Sequence, residues 1–331
     1  EQNILCSMLV VRLREGPDAG RRVTLERPKS EASIEYSQGD DVVLAYEPKA
    51  PEELRYRIVD RERRTTLLWL VFLFAIAVLA LGSFRGVAAL AGLAATFVVL
   101  LLFVLPSILD GRSPLMVSVI GASAIAFLAL YLAHGFGPKT TVALLGTLAS
   151  LLLTAVLGSV FVGAAQISGL ASEEATIVSI GAAQIDLAGL ILGGVVIGAL
   201  GAIDDMTVTQ ASAVWELRAA NPGLSAGDLV RSGLQIGRDH VAATVNTLFL
   251  AYAGASMPLL ILFILSRQSL STVANGEVVA TEIIRTLVGS IGLVAAVPIT
   301  TWLAAYTAPS PRTASASASA ATGEAATTEP A

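Results

Sequence analysis

Long apolar stretches recur along the chain from residue 61 onward, separated by short polar segments. About seven of them reach the length of about 20 residues that a helix needs to cross the hydrocarbon core of a bilayer. They cover residues 65–81, 87–109, 115–133, 140–162, 186–203, 240–265 and 283–306. The pattern therefore predicts an all-α polytopic membrane helix bundle of about seven spans within residues 61–306.

Residues 1–60 follow a different pattern, in which short apolar or alternating runs are interrupted by turn residues. Apolar and β-branched residues 4–13 precede a Gly-Pro-Asp-Ala-Gly turn at 16–20. Residues 21–26 then alternate polar with apolar side chains, and residues 41–47 resume the pattern. Runs of this kind predict a small N-terminal antiparallel β domain.

The composition places the chain in the membrane class. Its 331 residues are 54% hydrophobic and 14% charged, with a mean hydropathy of +0.73, which is far more apolar than a soluble domain. The mild net charge of −5 and the lack of a basic cluster exclude a nucleic-acid partner. One cysteine, Cys6, cannot form an internal disulfide, and together with two histidines it supplies too few ligands for a Cys/His zinc site. The Ala-, Ser- and Thr-rich residues 307–331 are predicted to be a disordered tail.

Two adjacent carboxylates, Asp204 and Asp205, follow a glycine-rich apolar stretch. Ionisable residues at membrane depth are costly unless something pairs with them, so their presence indicates a functional site. On a helix, Asp205 and Thr209 share one face, while Thr207 and Gln210 form a neighbouring polar ridge. The alternative is that the acidic pair ends a helix at the membrane surface and caps the helix that follows.

A second polar group lies at the start of the next predicted span. Asp239 and Asn246 are seven residues apart and share a face, and a polar amide inside an apolar helix normally finds a partner on another helix. Oxygen ligands of this kind suit Mg²⁺, Mn²⁺ or another hard cation, or a proton relay, with no cofactor. Two plainer interpretations stay open, namely an interfacial ion pair of Asp239 with Arg238 and an interhelical hydrogen bond from Asn246. We expect one ion or proton site formed by Asp204, Asp205, Thr209, Asp239, Asn246 and Thr247.

Residues 215–239 predict a membrane-surface segment between these two groups. An Asn-Pro-Gly turn begins at Asn221, and Ser225 with Asp228 three residues later resembles the capping box that starts a helix. The helix predicted over 226–237 has a polar side and an apolar side, so we expect it to lie on the bilayer.

Glycine spacing predicts close helix packing in the fifth span. Gly189 and Gly193, and then Gly194 and Gly198, are spaced G-x-x-x-G, a pattern that lets helix backbones approach closely. These glycines are expected at contacts between helices.

Known catalytic patterns are missing from the sequence. It contains no Walker-type glycine-rich loop with lysine, no G-x-S-x-G and no H-E-x-x-H. An intramembrane aspartyl protease needs carboxylates from two helices, and the residues around Asp205 and Asp239 do not resemble such a site. We therefore expect that the protein is not an enzyme.

Two blocks of the sequence resemble the YibE/F-like family of bacterial multi-span membrane proteins. They are GAIDDMTVTQASAVWELRAANP at 201–222 and GRDHVAATVNTLFLAYAGASMP at 237–258. The resemblance implies a multi-pass protein of the bacterial cell membrane, with an N-terminal membrane helix, then a small β domain outside the cytoplasm, and residues 215–239 inside. Because the chain opens at Glu1 close to a strand, we expect that helix to precede it. A permease-like role is the usual supposition for the family.

Two functions follow as expectations. The first is a transporter that handles an ion or small solute through the polar site on the fifth and sixth spans. The alternative is a non-transporting accessory or scaffold protein whose β domain binds a partner complex. In either case the lipid bilayer is the expected partner, with a membrane-protein complex or a homo-oligomer as a further one.

Overall fold

The computed structural model describes residues 6–28 and 35–309. Residues 310–331, most of the predicted disordered tail, lie outside the described part of the chain. The chain divides into two compact units, Glu1–Leu81 and Gly82–Ala331. The first unit contains all the described strands, and the second contains most of the helices.

The first unit contains the small β region that the sequence predicts, as two antiparallel two-stranded sheets. Strand β1 (Cys6–Arg12) pairs with β2 (Arg22–Pro28), and β3 (Val42–Tyr46) pairs with β4 (Tyr56–Arg61). A short 3-10 turn, Glu52–Leu54, precedes β4. Sequence reasoning misses β4, because its arginines look like charges that flank the first membrane span.

A half-buried hydrogen bond connects the two sheets of this unit. The Tyr56 hydroxyl of β4 donates to Asp18 Oδ2, in the turn between β1 and β2, at 2.8 Å. Burial of this hydroxyl, followed by its hydrogen bond to Asp18, raises the pKa of Tyr56 to about 12. Tyr56 therefore remains a neutral donor at physiological pH and holds the turn against β4.

The remaining elements are helical. The first are α1 (Arg64–Val99), a π-helical segment (Leu100–Val104), α2 (Leu105–Leu109), α3 (Pro114–His134), α4 (Pro138–Ala164) and α5 (Glu173–Gly181). They are followed by α6 (Leu187–Ala220), α7 (Ala226–Ala255), α8 (Met257–Leu265), α9 (Leu270–Asn275) and α10 (Glu277–Thr307).

Among the described residues, five helices are long and apolar enough to cross a membrane, or up to six if α7 and α8 form one bent span. The prediction of a polytopic helix bundle with a small β region is confirmed. The predicted count of about seven spans agrees only approximately with these five or six candidate spans. The predicted spans 65–81 and 87–109 lie in one apolar stretch, Arg64–Leu109, and a break in α1 separates them. The residues between them include no proline, and within α1 Ser83 leaves the helical conformation (φ 49, ψ −129).

Helices α4, α6 and α10 form the centre of the second unit, and α3 and α7 pack around them. Leu151 of α4, Ile203 of α6 and Leu293 of α10 are each at most 1% exposed in the main apolar cluster. Glycines allow the close approach. Gly193 of α6 lies against Ser118 of α3, as its G-x-x-x-G spacing predicts.

Helix α7 differs from the predicted surface helix at 226–237. Those residues begin one 30-residue helix that continues into the next predicted span. Its Gly233 and Gly237 are buried against α10. A side chain at position 233 would overlap Thr301, and one at position 237 would overlap Val297. The segment is therefore packed into the bundle on this side. At its other end α7 meets α8 at a bend of 62°, where Pro258 lacks the N–H that would continue the helix.

Candidate functional site

The acidic pair lies in the middle of a helix. Asp204 is seventeen residues after the start of α6 and sixteen before its end, so neither carboxylate caps a helix. Neighbouring residues on a helix point about 100° apart, at 3.6 residues per turn. As a result, Asp204 is half-buried in the bundle, whereas the Asp205 side chain is 70% exposed.

Asp204 faces two hydroxyl groups. Thr147 of α4 is fully buried, and its Oγ1 donates to Asp204 Oδ1 at 3.4 Å. The hydroxyls of Thr147 and Thr207 are 2.7 Å apart, and Thr207 can also donate to the Asp204 backbone carbonyl at 3.0 Å. These contacts join α4 to α6 through one carboxylate and two neutral oxygens.

The Asp204 carboxylate has few hydrogen-bond donors. Its two oxygens offer about four lone-pair sites, and within the described part of the chain it accepts one hydrogen bond, from Thr147. Thr147 has a single hydroxyl hydrogen, and the carbonyl oxygen of Ala143, 3.1 Å from Thr147 Oγ1, is a competing acceptor for it. No arginine, lysine or histidine pairs with Asp204 among residues 6–28 and 35–309. The carboxylate thus retains capacity for a proton or a cation.

A third buried hydroxyl lies beside this group. Thr300 of α10 is fully buried, and its Oγ1 has no hydrogen-bond partner among the described residues. This side chain lies against Gly146 of α4, which also contacts the methyl group of Thr207. Ser150, one turn further along α4, donates to the Gly146 carbonyl at 2.8 Å. The Thr300 hydroxyl therefore occupies the space that a side chain at position 146 would take, next to the methyl group of Thr207.

The group lies near one end of the bundle. Thr147 is nine residues into α4, or about 13 Å of helix, and Thr300 is seven residues before the end of α10, or about 10 Å. At the same end Trp302 and Tyr306 are exposed, as aromatic side chains commonly are at a membrane interface. The site is therefore enclosed by helices but within a short distance of water.

Gln210, in the same region of α6, connects helices through hydrogen bonds and does not contact Asp204. Its side chain is 2% exposed, and its amide donates to the Gly233 carbonyl of α7 at 2.7 Å and to Thr301 Oγ1 of α10 at 2.6 Å. Thr301 in turn donates to the carbonyl of Val297 at 2.6 Å. Gln210 thus fastens α6 to α7 and α10 about one turn beyond Thr207 and nearly two turns beyond Asp204.

The other predicted site residues lie outside this group. Asp205, Thr209, Asp239, Asn246 and Thr247 are all exposed. In the described part of the chain, the side chains of Asp239 and Asn246 make no hydrogen bond, and Thr247 donates to the carbonyl of Ala243 in its own helix. The structure brings Asp205 to His240, with Oδ2 and Nε2 4.0 Å apart. It does not connect these five residues to Asp204 through hydrogen bonds.

Sequence reasoning missed Thr147 and Thr300. The available signal was helical spacing, since Thr147, Ser150 and Thr154 recur at intervals of three and four in an otherwise apolar span. Thr207 and Gln210 were identified as a polar ridge, but the neighbouring ridge of Asp205 and Thr209 was preferred. Hydroxyl groups are a weak signal of a site in a membrane helix, because they commonly donate to a backbone carbonyl of their own helix.

The ligand set has a single negative charge. Among the described residues, no group of three or more His, Cys, Asp or Glu side chains could hold a metal ion. Asp204 with neutral hydroxyl oxygens is a hard donor set. Such a group suits a proton or a weakly charged hard cation and does not suit a transition metal.

Comparison with known proteins supplies the family. No curated protein and no solved structure matches the chain. A family model described as YibE/F-like protein matches residues 70–310, which includes every helix of the bundle core and both sequence blocks that carried the resemblance. The chain is a multi-pass membrane protein that belongs to the YibE/F-like family.

Proposed function

We propose that the protein is a permease-like transporter of an ion or small solute, in which Asp204 binds and releases a proton or cation. One observation carries the proposal. Asp204 is half-buried in a membrane helix bundle with one long hydrogen bond, and no basic partner is found for it in the described residues. An ionised carboxylate in such surroundings is costly. Taking up a positive charge removes that cost, which couples ion binding to the packing of α4 against α6.

The surroundings of Asp204 support a binding role over a purely structural one. A structural buried carboxylate is normally paired with a basic side chain or satisfied by several donors. Here the neighbours are the hydroxyls of Thr147 and Thr207, which can accept from or donate to a changing ligand. The shallow position also gives an ion a short route from water.

The test is ion flux in proteoliposomes. Purified protein is reconstituted and exposed to gradients of Na⁺, K⁺ or pH, and ion-sensitive dyes inside the vesicles report the flux. We expect flux above empty vesicles for the wild type, a loss of at least tenfold in Asp204→Asn, and near-normal flux in Asp205→Asn. The two variants remove the same charge one residue apart, so Asp205→Asn is the matched control. Equal flux in both variants would contradict the proposed role of Asp204.

Folding is checked separately by thermal unfolding in detergent. Asn is nearly isosteric with Asp and keeps an acceptor for Thr147, so Asp204→Asn is expected to be at least as stable as the wild type. A loss of flux in a variant that unfolds at the wild-type temperature or above then reports function.

An accessory role is the second candidate, and one feature of the β unit favours it. Met8 and Val10 of β1 lie on one face of the strand and are 72% and 68% exposed. Apolar side chains of this kind are found where partner proteins bind. Under this alternative, the protein co-purifies with a larger assembly, Met8→Ser with Val10→Ser abolishes that association, and Asp204→Asn has no effect.

We further propose that the protein lies in the bacterial cell membrane with its β unit outside the cytoplasm. The family resemblance supports the position of the β unit, and the charges at the two ends of the helix bundle support a cytoplasmic position for the loop between α6 and α7. Lys139 and Arg218 lie at the end where α4 begins and α6 ends, whereas Asp186 and Glu277 lie where α6 and α10 begin. Positive residues favour the cytoplasmic side.

Cysteine labelling tests the orientation in intact cells. In a Cys6→Ser background, a membrane-impermeant maleimide should label Lys49→Cys, in an exposed turn of the β unit, without permeabilisation. It should label Asn221→Cys, in the loop between α6 and α7, after permeabilisation only. The reverse pattern would overturn the proposed sidedness.

A further inference from the structure

We propose that Arg285, Tyr252 and Glu282 form a second binding site, which takes a small solute that carries both a carboxylate and a protonated amine, as an amino acid does. The proposed function places a proton or cation at Asp204. This inference goes beyond it, because the second group lies closer to the start of α6 and binds its solute whether or not Asp204 binds an ion.

Arg285 is a charged residue at membrane depth. It is eight residues into α10, or about 12 Å of helix, in a helix long and apolar enough to cross a membrane. Arginine at such a depth is rare because its charge is costly there, and it commonly marks a solute or ion pathway. The Glu282 carboxylate, 2.9 Å from Arg285 Nη1, offsets the charge.

Much of the hydrogen-bonding capacity of this ion pair is unused. Arginine has five N–H groups, and within the described part of the chain the Arg285 guanidinium donates one hydrogen bond, from Nη1 to Glu282 Oε1 at 2.9 Å. Its Nε is buried without a partner there, which leaves a donor of a charged group unsatisfied. A guanidinium with free donors matches a carboxylate, and the second oxygen of Glu282 can accept from an amine.

Tyr252 of α7 brings a hydroxyl to the same face of α6. A side chain at Gly198 would meet the Tyr252 hydroxyl at 2.7 Å, and one at Gly194 would meet Arg285 Nη2 at 4.0 Å. The two glycines are one turn apart, where side-chain positions on one helix face are about 6 Å from each other, and both are exposed. The charges of Arg285 and Glu282 also act on the Tyr252 hydroxyl. The guanidinium and the hydroxyl therefore lie over neighbouring positions of a bare helix face.

Packing one turn away holds the three helices together around this group. Gly289 of α10 lies against Ala199 of α6 and Leu248 of α7. Arg285 precedes Gly289 by one turn, and Tyr252 follows Leu248 by one turn, so both lie on the helix sides that meet at this junction. The packed layer of Gly289 thus fixes the positions from which the two polar side chains reach α6.

Charge selects the class of solute. Arg285 and Glu282 together are neutral, so an anion alone would leave a negative charge among apolar side chains, and an amine alone would leave a positive one. A molecule with a carboxylate for Arg285 and Tyr252 and an ammonium group for Glu282 leaves the whole group neutral. It also gives a partner to the unused donors and to the unused carboxylate oxygen.

Binding to the purified protein tests the proposal. A radiolabelled mixture of L-amino acids is bound in detergent and followed by scintillation proximity. Unlabelled amino acids compete, alongside the matching carboxylic acids without the amine and the matching amines without the carboxylate. We expect saturable binding, and at least tenfold weaker competition by molecules that lack either group. Absence of saturable binding, or equal competition by the carboxylic acids or the amines, would overturn the proposal.

Two variants and a control assign the binding to this group. Arg285→Lys keeps the charge beside Glu282 but loses the planar fork, so we expect at least tenfold lower affinity at a wild-type unfolding temperature. Tyr252→Phe removes only the hydroxyl and should weaken binding several-fold. Arg85→Lys makes the same change at an exposed arginine of α1 and should bind normally. Normal affinity in both Arg285→Lys and Tyr252→Phe would overturn the site.

Glu282→Gln changes the specificity of the proposed site. It removes the negative charge that receives the amine and leaves the positive charge of Arg285 without its partner. We expect at least tenfold lower affinity for amino acids together with new saturable binding of the amine-free carboxylic acids. A purely structural ion pair predicts no such exchange. Unchanged amino-acid binding in Glu282→Gln would overturn the assignment of the amine to Glu282.

The outcomes distinguish this inference from the proposed function. Amino-acid binding that is lost in Arg285→Lys and kept in Asp204→Asn, without ion flux, would support the second site and contradict the ion transporter. Ion flux that depends on Asp204, without amino-acid binding, would support the proposed function and overturn the second site. Anionic lipid that co-purifies with the wild type and is lost in Arg285→Lys, again without amino-acid binding, would mean that Arg285 holds a lipid phosphate, and would also overturn it.

Discussion

The two sides of α6 have similar polar residues and opposite surroundings. On the inner side, Thr207 and Gln210 are at most 2% exposed and bond to α4, α7 and α10. On the outer side, Asp205 and Thr209 are exposed, and the one neighbour that Asp205 approaches is His240, at 4.0 Å. Asp204 lies at the border between them. The comparison teaches that the direction of a polar residue, more than its presence in a span, decides whether it can form a site.

The largest effect that tests this comparison is expected for Gln210→Ala. The substitution removes both hydrogen bonds that fasten α6 to α7 and α10 and leaves a cavity beside Gly233. We expect a loss of about 2–4 kcal/mol in the free energy of unfolding. Unfolding by SDS in mixed micelles, followed by circular dichroism, measures it.

The outer neighbour provides the matched control for that measurement. Thr209→Ala lies one residue away on the exposed side and should change the free energy of unfolding by less than about 0.5 kcal/mol. Similar losses for the two variants would mean that both sides of α6 are packed, and the comparison would fail.

Glycine substitutions on α6 should give effects of opposite sign. A methyl group at Gly193 would overlap Ser118 of α3, so Gly193→Ala is expected to cost about 1–3 kcal/mol. At Gly201 no atom lies within 4 Å of the added carbon, and Gly201→Ala should stabilise the protein by up to about 1 kcal/mol through its higher helix propensity. Melting temperatures in one detergent measure both. Destabilisation by Gly201→Ala would indicate a contact on the outer side that the structure does not contain.

The smallest effect is expected for the outer polar pair. A double-mutant cycle of Asp205→Asn and His240→Gln should give a coupling energy below about 1 kcal/mol, because exposed pairs are screened by solvent. The cycle is measured by unfolding of the wild type, the two single variants and the double variant. A larger coupling energy would mean that this pair lies in a medium of low dielectric constant, and that the outer side of α6 faces lipid at this position.

Much of the fold could be predicted from hydrophobic patterning. The apolar stretches at 115–133 and 140–162 correspond closely to α3 and α4, and the alternating run at 41–47 contains β3. The stretch Arg64–Leu109 differs in part, because its two predicted spans are continuous except for a break at Ser83, where the backbone angles are not helical. The start of α7 differs for another reason, since a helix with a polar side and an apolar side can lie on a bilayer or pack against a neighbour.

The candidate site was predicted only in part. The acidic pair and the helix that holds it follow from the sequence, as does the polar ridge of Thr207 and Gln210. Thr147 and Thr300 are distant in sequence from Asp204, and nothing in their own segments marks them as its neighbours. Asn246 and Thr247 satisfied the expected spacing on the next span but are exposed in the structure.

The sequence by itself determined that the chain crosses a membrane several times, that a small β region precedes the helices, and which short blocks identify the family. These properties depend on local composition and periodicity, which are set residue by residue. Only the tertiary structure decided that Asp204 faces the bundle while Asp205 faces away. The rotation of a helix in an apolar bundle is fixed by which small and polar residues of other helices it meets, here Gly146, Thr147 and Thr300.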